Sequence, residues 1–236
     1  MRVLGVDLAA QPKKSSAAIL DGGRVIELVS GVDDDMIVRW AETCELVGLD
    51  APLGWPDPFV SVVTAHHAGM ALPPAGARDL QLRHTDQVIA NAIAKQPLSV
   101  STDRIGVVAL RAIRLLERLA GPGADRSGGA GIYETYPGGA VAQWSLTSGS
   151  YKRVDGTTQR LRIVEELTKW IDLNGFGDQM VECDDDLDAV LCGVIARLAA
   201  AGRTIRPTPA ETDRARREGW IHVPAGEIAD LSLLGS

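Results

Sequence analysis

The sequence predicts an α/β protein: a mixed five-stranded sheet flanked by helices, with a helical insertion after strand four. Three observations carry this. Residues 2–30 hold three short apolar runs, later segments repeat apolar residues at helical spacing, and acidic residues close several apolar runs. Arg2–Leu8 (RVLGVDL) is apolar on both faces apart from Asp7, as a central strand covered on each side would be. Ser16–Leu20 and Val25–Val29 flank Asp21-Gly22-Gly23-Arg24, and a Gly-Gly pair between apolar runs signals a tight hairpin. Asp33–Asp35 supplies capping chemistry for a short helix carrying Met36, Ile37, Val38, Trp40 and Ala41. Glu45–Asp50 forms the fourth strand, stopped by Pro52.

From residue 51 to residue 129 the texture changes to proline-rich turns and helical stretches, read as an insertion within a single domain. Ile105, Val108, Ala112, Leu115, Leu116 and Leu119 share one helix face, with Ser101 or Thr102 as cap and Arg104, Arg111 and Arg118 on the opposite side. A glycine cluster leads into a fifth strand, Ile132–Tyr136. A helix over Thr158–Ile171 follows, then an amphipathic one over Asp185–Ala201 with Leu187, Val190, Leu191, Val194 and Leu198 inward. The tail, Arg214–Pro224, is basic and then apolar; its Arg214, Arg216 and Arg217 are the densest basic cluster and a candidate phosphate surface.

Composition narrows the function. At 236 residues the chain suits one large domain, and 45% hydrophobic with 23% charged residues excludes a disordered or fibrous chain. Ten aromatic residues (Trp 5, Tyr 3, Phe 2) are too few for a base-stacking platform. The net charge of −7 opposes non-specific coating of polyanions. Three cysteines without metal-ligand spacing support neither a disulfide framework nor a zinc site. No apolar run reaches the roughly 18 residues that span a bilayer, and Asp7 interrupts the N-terminus where a signal peptide stays apolar, so a cytoplasmic protein with no membrane partner is expected. Oligomeric state is not legible.

Acidic residues at the ends of buried strands are costly unless they are bonded, protonated or metal-bound. Asp7 ends strand one, Asp50 ends strand four, Glu134 lies in strand five, and Asp185 and Asp188 open the last long helix. If strand four lies beside strand one and strand five beside strand four, these acids converge at one sheet edge. Converging carboxylates call for Mg²⁺ or Mn²⁺, and two such ions roughly 3.5–4 Å apart can activate water and stabilise a leaving oxygen. Each acid also has a plain structural reading: Asp185 and Asp188 suit the positive end of a helix, Asp50 a turn, Glu134 a solvated strand position. Asp7, within an apolar strand, is hardest to explain in that way. Arg83 and Asp86 would share a helix face as an ion pair, or Arg83 would hold a substrate phosphate from a polar, partly exposed helix start. Lys13, in the loop after strand one, and Lys152 are further phosphate candidates. The four histidines show no metal spacing, and Trp55, Trp144 and Trp220 read as packing residues.

The stretches GVDLA (Gly5–Ala9), LDAPL (Leu49–Leu53), RHTD (Arg83–Asp86), PLSVSTDRIG (Pro97–Gly106), YETYP (Tyr133–Pro137), Tyr151-Lys152, LDA (Leu187–Ala189) and EGWI (Glu218–Ile221) resemble the signatures of domain-of-unknown-function family 429, in the family's order and nearly end to end. The resemblance implies a ribonuclease H-like fold and a nuclease. It gives Asp7 the role of the strand-one aspartate, Asp50 that of the strand-four carboxylate and Asp188 that of the acid opening the final helix, with Glu134 a further site residue.

The leading expectation is therefore a metal-dependent phosphodiesterase acting on a nucleic acid or small phosphodiester, with Asp7, Asp50, Glu134 and Asp188 as catalytic ligands and Asp185 as a further metal ligand. An ATP-dependent phosphotransferase of the sugar-kinase and actin type shares such a core. It usually repeats that core and sets glycine beside the strand-one aspartate, where this chain has Leu8-Ala9. A non-enzymatic binding module retaining a structural metal site is the third possibility.

Overall fold

The computed structural model describes residues 1–147 and 149–234. In chain order the elements are β1 (Arg2–Asp7), β2 (Ser16–Asp21), β3 (Arg24–Ser30), α1 (Asp34–Ala41), β4 (Leu46–Asp50), α2 (Asp57–His67), α3 (Ala77–Gln81), α4 (His84–Ile93), α5 (Ile105–Ala120), β5 (Ile132–Thr135), α6 (Pro137–Gln143), α7 (Thr157–Leu167), α8 (Gly177–Glu182), α9 (Asp184–Ala200), α10 (Thr212–Glu218) and β6 (Ile221–His222). One mixed sheet runs β3-β2-β1-β4-β5-β6. Its first three strands are antiparallel, and β4, β5 and β6 extend it in parallel from β1. The sheet thus has six strands where the sequence predicted five. The sixth, Ile221–His222, has only two residues and is recognisable only by its pairing with Glu134 and Thr135.

Both faces of the sheet are covered, because side chains alternate along each strand. Leu4, Val6, Ala17, Ile19, Val47 and Leu49 point to a core completed by Ile37 of α1 and Ala112, Leu115 and Leu116 of α5. Ala18, Leu20, Val25 and Leu28 point to the opposite core, formed with α6, α7, α8 and α9. The α1 helix is capped as predicted, the Asp33 carboxylate accepting the Met36 amide at 2.8 Å. Ser101 and Thr102 do not cap α5, which starts at Ile105 behind Arg104; their amides instead donate to the Ser99 hydroxyl. Arg111 and Arg118 lie beside the apolar face of α5 rather than opposite it, and pair with Asp34 and Asp35 at the start of α1, which packs on that face.

The α9 helix departs furthest from its predicted amphipathic form. Every residue from Asp186 to Leu198 is buried, since the sheet covers one side and α6, α7 and α8 pack on the helix as well. Each fully buried Leu or Ile there contributes roughly 1.5–3 kcal/mol. The close approach of α9 depends on two glycines that lie side by side in β1 and β4, Gly5 and Gly48. A Cβ on Gly5 would lie 2.1 Å from the Ala189 carbonyl, and one on Gly48 would lie 2.3 Å from that of Cys192. Gly193 answers from the helix, where a Cβ would meet the Leu20 side chain at 2.5 Å.

Two elements hide in what the sequence presents as loop or tail. Tyr136-Pro137 ends β5 and at once starts α6, proline being tolerated in a first helical turn. Arg214–Glu218 belongs to α10. There Arg214 binds Glu218, Arg216 binds Asp125 and Asp213, and Arg217 binds Asp57, so the basic cluster is internally neutralised. Among the described residues no helix is long and apolar enough to cross a membrane.

Candidate metal centre

Asp7 and Asp50 end neighbouring parallel strands and are direct register partners. Both lie two residues beyond the paired glycines, hence on the same sheet face, the one that α9 packs against. The N-terminal part of α9 meets the strand ends there and brings in Asp188, which is 1% exposed. Oxygens of Asp7, Asp50 and Asp188 all lie within 4.8 Å of one another. Asp185, half-buried one turn earlier, adds its negative charge to Asp7. Asp186 serves another purpose: both its oxygens accept from the Ser30 hydroxyl at 2.9 Å and one also from Gln179, tying α9 to β3 and α8.

Lys152 stands among these acids. Its ammonium lies 2.5 Å from Asp188 and 3.7 Å from Asp50, and the Tyr151 hydroxyl donates to the other Asp188 oxygen at 2.7 Å. Burial and the neighbouring acids push the Asp7 carboxyl well above the ordinary range. Burial likewise lifts Asp50 to about 6, against the pull of Lys152. Asp188 is raised by burial, and Lys152 and Tyr151 only partly oppose the shift. Burial disfavours the Lys152 charge, but Asp188 and Asp50 outweigh it and hold the ammonium protonated. The centre is one cation facing three mutually repelling carboxylates.

Glu134 lies beside this group rather than in it. Its oxygens accept from Arg83 at 2.7 and 2.8 Å, and one also accepts the Leu53 amide at 2.9 Å. Arg83 is 1% exposed, not at a partly exposed helix start. All five of its N–H donors are engaged: Nε and Nη2 reach Asp86, Nη1 and Nη2 reach Glu134, and Nη1 also reaches the Glu218 carbonyl. The predicted Arg83–Asp86 pair exists, at 2.9 Å, and doubles as the capping box of α4. Glu218 completes the knot by accepting the first amides of α2 and α4, from Asp57 at 2.9 Å and His84 at 2.7 Å. Lys13 is exposed in a one-turn 3-10 helix, Pro12–Lys14, away from the residues lining the cavity described next.

A cavity of about 530 Å³ opens beside Asp50 and Lys152. Glu134 and Arg83 border it from β5 and α4, Tyr136 and Tyr151 supply aromatic walls, and Lys95 and Leu98 come from the loop after α4. Sequence reading missed Lys95, Tyr136 and Leu98 as lining residues. Leu98 and Tyr136 stand in two of the motif stretches, PLSVSTDRIG and YETYP, but Lys95 has no motif around it. It follows Ala94, a non-glycine residue in the left-handed region with φ 51° that ends α4.

Fold and site together define a mixed α/β protein with a carboxylate group at the carboxyl ends of adjacent parallel strands. The family model described as "Protein of unknown function (DUF429)" matches residues 5–213, and the chain belongs to that family. Neither a curated protein nor a solved structure matches it significantly.

Proposed function

We propose that the protein is a phosphodiesterase of ribonuclease H-like type that uses Mg²⁺ or Mn²⁺ held by Asp7, Asp50 and Asp188. One observation carries the reading: three carboxylates from two strands and a helix present oxygens within 4.8 Å of one another. Such acids raise each other's proton affinity, and a hard divalent cation with oxygen preference is the partner that suits them. The group fits: an ammonium already stands against two of the three, so the site favours positive charge. Bound there, the ion would supply an activated water and stabilise charge on a leaving oxygen.

The protein's own residues supply the rest. Lys152 carries a positive charge at the cavity wall, where an anionic phosphoryl group is drawn toward the acids. Tyr151 fixes the rotamer of Asp188. Glu134 and Arg83 act as positioning residues, clamping the end of β5 to the Leu53 backbone and α4. Asp185 adds negative charge beside Asp7. The phosphotransferase reading has less behind it, since the chain from Leu8 to Asp21 contains no glycine and so no glycine-rich phosphate loop.

Calorimetric titration with Mn²⁺ tests the proposal. Saturable binding is expected in the wild type, with at least a tenfold loss in Asp188→Asn. No heat of binding in the wild type at millimolar Mn²⁺ would overturn it.

A further inference from the structure

The cavity beside the acids carries an inference about the substrate, which rests on the phosphodiesterase reading. Its volume of about 530 Å³ falls in the range of small-molecule sites. Two ammonium groups line it. Lys152 is engaged by Asp188 and Asp50, whereas Lys95 forms no ion pair among the described residues. Lys95 donates to the Gly138 carbonyl at 2.9 Å, and its ammonium lies 5.6 Å from the centre of the Tyr136 ring. Leu98, 60% exposed, is a large apolar side chain kept at the cavity wall instead of the core. Val141 and Tyr151 continue the apolar surface.

We propose that this cavity binds a small, nucleotide-sized phosphodiester, its phosphate held by Lys95 with the Lys152 charge beside it, and its apolar or aromatic ester group resting against Leu98, Tyr136 and Val141. A cation without a carboxylate partner is an open receptor for an anion, and charge-assisted bonds are the strong ones. Burial and the nearby Lys152 charge lower the proton affinity of Lys95, and a bound phosphate compensates both. A polymer is the poorer fit. Tracking a nucleic-acid backbone takes a run of cations facing phosphates, but Arg111, Arg118, Arg214, Arg216 and Arg217 are each paired with a carboxylate. The net charge of −7 adds general repulsion.

The test uses the full chain, bis(4-nitrophenyl) phosphate as the small diester and a single-stranded DNA dodecamer as the polymer. Equilibrium binding is measured in EDTA, and hydrolysis is measured in Mn²⁺. The diester should bind in EDTA at least about tenfold more tightly than the dodecamer. Lys95→Met and Leu98→Glu should each weaken it about tenfold while leaving circular dichroism unchanged. Tighter binding of the dodecamer, or wild-type diester affinity in both variants, overturns the assignment. Diester binding in EDTA without Mn²⁺-dependent hydrolysis supports the cavity and sinks the phosphodiesterase reading. Hydrolysis indifferent to both variants does the reverse.

Discussion

Arg83 shows how far a residue's role depends on its surroundings. In the sequence it sits in a polar RHTD stretch and reads as a substrate ligand; in the fold its guanidinium is enclosed by Asp86, Glu134 and the Glu218 carbonyl. Burial opposes its charge, but Glu134 and Asp86 more than offset that and raise its proton affinity. Removing one member of such a group leaves buried, uncompensated charge, at about 3–5 kcal/mol. Arg83→Met is therefore expected to lower unfolding free energy by that amount, read from the urea midpoint. A change under about 1 kcal/mol would show the group to be dispensable for folding. Asp188 is the contrasting case, with Lys152 on one oxygen and Tyr151 on the other, in contact with the cavity's Lys152 rather than sealed in a knot.

Among the elements, the pairing of β1 and β4 against α9 decides the site. Gly5 and Gly48 admit the helix backbone, and the same face then delivers Asp7 and Asp50 to the N-terminal part of α9. Gly48→Ala would set a methyl group 2.3 Å from the Cys192 carbonyl, so the helix must retreat. Overpacking of this kind costs about 1–3 kcal/mol or more. The expected outcome is that much destabilisation together with weaker Mn²⁺ binding, whereas Gly23→Ala in the β2–β3 turn, with nothing within 4 Å, leaves both unchanged. Equal behaviour of the two variants would contradict this account. The sequence held a signal for it, since glycine inside an apolar strand often marks a close approach of backbone. No comparable signal marked α10, whose arginines resemble a phosphate patch until their carboxylate partners from other segments are in view.

For the whole molecule, the acids link stability to pH. Asp7, Asp50 and Asp188 all hold protons more tightly in the folded state than the ordinary carboxyl value of 3.8. The native state then binds more protons than the unfolded one, and stability from these groups falls as pH rises from about 4 through the folded value of Asp50, about 6. For Asp50 alone the shift sets a ceiling of about 3 kcal/mol. Asp50→Asn is accordingly expected to melt a few degrees higher than wild type at pH 7.5 in EDTA, the gain disappearing toward pH 4. Asp7→Asn should move in the same direction. Mn²⁺ needs the ionised carboxylates, so its stabilisation of the wild type should grow over the same pH window. Melting curves of Asp50→Asn that fall below wild type at pH 7.5 in EDTA would show that the acid cluster stores no repulsion.

The sequence alone determined the alternation of strands and helices, the β2–β3 hairpin, the Asp33 cap and the placing of Asp7 and Asp50 at strand ends, because these depend on side-chain period and local turn chemistry. It offered both Asp185 and Asp188 at the start of the last long helix, and only the family resemblance named Asp188. The tertiary structure decided which acids converge, that Glu134 is neutralised by Arg83, that Lys152 enters the acid group and Lys95 the cavity wall, and that β6 exists at all. Those are pairings between residues far apart in the chain, and local periodicity carries no record of them.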